Sequence, residues 1–223
     1  MSLAISDTKL SDIIVNEPNV VAVLSRFGIH LGVGDSTVED ACRTHALDTD
    51  FVLLIINTFV NENYFPETVL KAVNIADIVS YLDKTNDYYT RFLVPNIERH
   101  FNLLISKSVT PNNLQLMMQF FEQLKDELSQ RITHDREVLF PQLINSASSA
   151  PDDAIALIDE PNSIEEKLGD LKNLFIIHLR GEYDSNLSHA VLLAIVNLEK
   201  DFKQNERIRQ RILTPYAHSL VKK

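Results

Sequence analysis

Asp135 and His178 are the residues of metal-ligand type on the apolar stripes of four long helical segments. The stripes follow the 3–4 spacing of an amphipathic helix. The first reads Ile75, Val79, Leu82, Asn86, Tyr89, Leu93 and the second Leu124, Leu128, Arg131, Asp135, Val138. The third reads Ile164, Leu168, Leu171, Phe175, His178 and the fourth Val191, Ala194, Leu198, Phe202, Asn205, Arg209, Ile212. Polar groups pointing inward from several helices are how helical bundles build metal sites. A di-iron site takes about five to seven His, Asp or Glu ligands, in keeping with the carboxylate and His sets of bundle di-iron proteins. Arg131 and Arg209 cannot ligate, because a guanidinium stays protonated and has no lone pair to give. Asn86 and Asn205 are poor iron ligands. No metal is therefore expected.

An inward arginine must be paired or hydrogen-bonded. Asp135 can accept from Arg131 or Arg209, with Asn86, Asn205 and His178 completing a buried polar cluster. The alternative phase, one residue round each helix, puts these charges on the surface. Elsewhere, Cys42 reads as a small buried hydrophobe, with His45 three residues on as the base that a nucleophilic role would need. The run GVGD at 32–35 has no Lys-Ser/Thr after it, which argues against a phosphate loop. Tyr88, Tyr89 and Tyr183 read as core aromatics or pocket walls. There is no Ser/His/Asp nucleophile signature, so no catalytic residue is assigned and an enzyme is not expected.

The elements that carry these residues read as all-α. Pro18 in a first turn and Gly28 past the end bracket a helix over 18–27. Ser36–Thr37–Val38–Glu39 has the form of a capping box opening a helix to about His45. Asp48 or Thr49 caps FVLLIINTFVNE. Residues 1–65 thus form a small helical domain and 66–223 four long helices, the pattern of an up-down-up-down bundle. The first helix runs from Asn74 to about Ile105 with Pro95 as a kink or break. The second runs from Thr110–Pro111 to about Pro141, and the third from Ser163 to about Arg180. The fourth runs from Ser185 to Pro215, and SSAPDD at 148–153 reads as a loop. Sliding the chain by 74 residues superposes Leu124, Leu128, Val138, Leu139 and Pro141 on Leu198, Phe202, Ile212, Leu213 and Pro215.

Composition narrows the function. A net charge of −10 and a pI near 5.1 argue against general binding to a phosphate backbone. Residues 203–223 reverse the sign, with Lys203, Arg207, Arg209, Arg211, Lys222 and Lys223 against Glu206. That cluster reads either as cations at a helix C-terminus or as a basic docking patch. No apolar run reaches a membrane span's ~18 residues, and the first residues do not read as a signal peptide. A lone cysteine fits a reducing cytoplasm.

The chain resembles the RIC/ScdA-type proteins (repair of iron centres), which join an ScdA_N domain to a hemerythrin-like di-iron bundle. FGIHLGVGDSTVEDAC (27–42) is similar to the family's LGIDYCCGG…L.EAC segment. Gly32 and Val33 stand where the family has a double cysteine, and Cys42 matches the later one. The family's THDYY-like motif corresponds to Thr85–Asn86–Asp87–Tyr88–Tyr89. Its HxxxExxxxFP motif corresponds to RITHDREVLFP (131–141), and the second copy to NERIRQRILTP (205–215). Carried over residue by residue, the family's iron ligands fall at Asn86, Arg131, Asp135, Asn205 and Arg209, with His178 matching a further histidine. His100 is nearest to the remaining histidine, and His134 lies one residue off the motif face.

The resemblance implies a hemerythrin-like fold with most of its iron ligands replaced. The function it implies is a metal-free regulatory or ligand-binding protein linked to nitrosative or oxidative stress signalling. The partners are a small anion at the former site, a protein partner, or a second copy in a homodimer. Two alternatives stand beside it: an active di-iron protein of cluster repair or NO/O₂ response, and a dimerising scaffold.

Overall fold

The computed structural model describes residues 3–66, 73–109, 112–145 and 163–221. Thr110, Pro111 and the segment 148–153 lie outside them. Among the described residues the fold is all-α, without a strand. The short helices are α1 (Leu10–Asn16), α2 (Val20–Arg26), α3 (Val38–His45) and α4 (Thr49–Val60). Then follow α5 (Ile75–Tyr88), α6 (Val94–Lys107), α7 (Asn112–His134) and α8 (Phe140–Asn145). The last are α9 (Ser163–His178), α10 (Ser185–Ile208) and α11 (Thr214–Val221).

Three π-helical turns join helices end to end. They are π1 (Tyr89–Leu93) between α5 and α6, π2 (Asp135–Leu139) between α7 and α8, and π3 (Arg209–Leu213) between α10 and α11. Each stands in the same register to a proline: Pro95, Pro141 and Pro215 are second after the turn. The N–H of the residue before the proline reaches back five residues, from Val94 to Tyr89, Phe140 to Asp135 and Thr214 to Arg209. A proline has no N–H for the next rung, and its ring collides with the carbonyl four residues back. A widened turn makes room for the ring. Pro95 therefore neither breaks nor ends its helix, contrary to one expectation from the sequence.

The described residues form two compact units. The first holds 3–66, 73–85, 143–145 and 204–221. Its N-terminal helices start and stop where local chemistry directs. Gly28, at φ +80°, follows α2 as a left-handed C′ residue. Asp48 caps α4 by accepting from the Phe51 N–H at 2.8 Å. The α3 box uses Thr37 and Asp40 rather than Ser36 and Glu39: Asp40 N–H donates to the Thr37 hydroxyl at 3.1 Å and Thr37 N–H to the Asp40 carboxylate at 3.2 Å. Backbone pairing fixes this one-residue shift. Leu10 N–H donates to Ser36 O at 3.0 Å and Val38 N–H to Thr8 O at 3.0 Å, which holds 36–37 extended. The core gathers Ile13, Val23, Cys42, Val52, Ile55 and Phe59, all essentially inaccessible. The Asn57 amide grips both backbone groups of Ala4, at 2.7 and 2.9 Å.

The basic segment has a structural task in this unit. Arg207 donates to Phe59 O at 2.9 Å and to the Glu62 carboxylate at 2.9 Å. Arg211 donates to Tyr64 O at 2.7 Å and Glu62 O at 2.6 Å, and its guanidinium lies 4.1 Å from the Phe65 ring centroid. A helix leaves its last carbonyls without intrahelical donors, and cations are favoured there. Arg207 therefore serves the C-terminus of α4, and Arg211 the stretch of chain that follows it. Lys222 and Lys223 lie outside the described residues.

The second unit holds 86–109, 112–142 and 163–203. Four helical segments share one core: Ile97, Phe101 and Leu104 from α6, Phe121, Leu124 and Leu128 from α7, Leu168, Leu171 and Phe175 from α9, and Val191, Ile195 and Leu198 from α10. Phe101 stacks on Phe121 at 6.2 Å and meets Phe175 edge-on at 5.8 Å.

Thr37→Ala is expected to cost about 1 kcal/mol, read as a lowered urea midpoint. It should also blunt acid sensitivity. The Thr37 hydroxyl first, then its N–H and Arg43, hold the Asp40 carboxyl below the usual carboxylate range. A lowered folded-state pKa gives stability that is present above the unfolded-state pKa and lost as pH falls through the folded-state one. A second prediction concerns the arginine clamp: Arg207→Ala/Arg211→Ala should make 61–66 an early site of limited proteolysis while far-UV circular dichroism stays helical.

Candidate functional site

The second unit buries an amide–carboxylate pair. Asn86, in the last turn of α5, donates from Nδ2 to Asp135 Oδ2, in the first residue of π2, at 3.1 Å. Both side chains are almost fully enclosed, at 4% and 2% exposure. The next residue on each element makes an outer rung, Arg136 to Asp87 at 2.6 Å, with Arg91 also 3.4 Å from Asp87. The same two elements are thus linked twice, once inside and once at the surface. Arg131 lies one turn before Asp135, half-buried, with its guanidinium 5.3 Å from the Phe202 ring centroid. Phe202 in turn packs against Tyr89 at 5.9 Å.

Asn205 belongs to the first unit and has different neighbours. Its Oδ1 accepts from the Tyr81 hydroxyl at 3.2 Å and from Arg26 at 3.5 Å, while Arg26 also donates to the Tyr81 oxygen at 3.1 Å. Arg26 itself is buried. Arg209 is half-buried, and its Nε lies 3.7 Å from the Glu206 carboxylate one turn earlier.

The stripe phase expected from the sequence therefore holds for Asn86, Asp135 and Asn205, which are buried, and in part for Arg131 and Arg209. His178 is a correction. It is exposed, the last residue of α9, one turn beyond the buried Phe175. The apolar stripe ends before it, and no buried cluster includes it. Arg26, Tyr81, Asp201 and Glu206 are further buried residues with polar groups that the stripes left out. Asp201 had a signal: it stands three residues after Leu198, beside Phe202, on the same inward arc. Arg26 and Tyr81 had none that separates them from surface or core residues of the same type.

Other candidates resolve plainly. Cys42 is fully buried, and burial pushes its thiol up, away from the reactive thiolate, against a smaller opposing hydrogen bond with Thr49. His45 is exposed. The glycine run at 32–35 is an open turn, with Gly32 and Gly34 at positive φ and Asp35 paired to Lys9 at 2.7 Å.

The donor set at the positions that the sequence resemblance singles out does not fit a di-iron centre. Asp135 is the one carboxylate in it, the Asn86 amide is already turned to Asp135 as a donor, and two positions carry guanidiniums. Among the described residues, no three His, Cys, Asp or Glu side chains group so as to hold a metal.

Asp135→Ala strips the Asn86 amide of its acceptor and should cost about 1–3 kcal/mol in urea denaturation. Asn86→Leu/Asp135→Leu should recover most of that loss, because an apolar pair of similar volume leaves neither partner stranded. A double-mutant cycle of Asn86→Leu, Asp135→Leu and the double variant measures the coupling.

In comparison with known proteins, the sequence matches no family model and no curated relative.

Proposed function

We propose that the chain is a RIC/ScdA-type, hemerythrin-like protein that works without iron. In this reading residues 1–65 correspond to an ScdA_N-like domain and 66–223 to a bundle of up-down-up-down order. The protein acts in the cytoplasm as a regulatory or ligand-binding module of nitrosative or oxidative stress signalling rather than as an enzyme. The buried Asn86–Asp135 pair carries the proposal. Two positions that would present ligands to a metal in the family instead satisfy one another. The half-buried Arg131, at another of those positions in the same unit, supplies a fixed positive charge, which repels a metal cation and favours a small anion.

Metal content of protein expressed in iron-rich medium tests this reading. Iron far below one equivalent per chain is the expected result, with a melting temperature that does not move when a chelator is added. Stoichiometric di-iron would overturn it. Inorganic phosphate and nitrite serve as anion probes, since a ligand that binds only the folded state raises the melting temperature with its concentration. A shift reduced by Arg131→Met is the expected signature, and an unchanged melting temperature with both anions would count against an anion ligand.

A further inference from the structure

We draw no further inference here: the strongest candidate, the buried side-chain cluster of Asn86, Asp135 and the neighbouring Arg131 in the second unit, belongs to the site already described.

Discussion

A proline inside a helix takes away one donor and crowds one carbonyl, and this chain meets that constraint at Pro95, Pro141 and Pro215. In all three places the backbone answers with the same widened turn at the same distance before the ring. π-helical residues make up well under 1% of ordinary globular chains. Three turns in one register are therefore a common response to a common cause. The turn absorbs one residue more than an α-helix would, so the buried face resumes out of step with an uninterrupted 3–4 count. After Tyr89 it resumes five residues on at Val94 and continues through Ile97, Phe101 and Leu104; after Asp135 it likewise resumes five residues on at Phe140, with Leu139 beside it also buried.

Most of the polar groups of the stripes lie close to these turns. Asp135 and Arg209 open π2 and π3, and Asn86 lies one turn before π1. Apart from His178, each polar position of the stripes thus lies within about a turn of a stretch of helix whose backbone departs from regular geometry. Burying these groups has an energetic cost, and the structure meets it locally. Asp135 takes an amide donor from Asn86, and Asn205 takes donors from Tyr81 and Arg26. Such pairs add little net stability over an apolar pair of equal volume. Losing one partner is what destabilises, so the two halves of each pair constrain one another.

Helix identity and helix ends were legible in the sequence because caps, glycines and prolines act over a few residues. Gly28 past α2 and Asp48 before α4 stand where the pattern put them. The α3 box slipped by one residue because Ser36 and Thr37 both suit the motif, and the choice between them came from backbone pairing with Thr8 and Leu10, about 28 residues away in sequence. The π-turns were not legible as such. A proline announces a disturbed helix, but not whether the helix breaks, kinks or widens. For the site, periodicity identified the buried arc and missed its width: Asp201 and Phe202 are both inside. Arg26 is beyond any reading of a single helix, because its partners Tyr81 and Asn205 stand 55 and 179 residues along the chain.

The arginines show why residue type alone could not assign the site. Arg207 donates to a carbonyl at the end of α4 and Arg211 to carbonyls of the chain just beyond it, Arg136 makes a surface ion pair, and Arg131 lies over an aromatic ring. All use the same planar, permanently charged group with five donors. Burial and neighbours alone distinguish them. In the proposed reading this permanence has a functional consequence. An iron centre can change its charge and exchange its ligands, whereas a guanidinium does neither near neutral pH. A module built on Arg131 and Asp135 would therefore respond to what it binds, through contacts that favour one conformation over another, and not through a change in its own oxidation state.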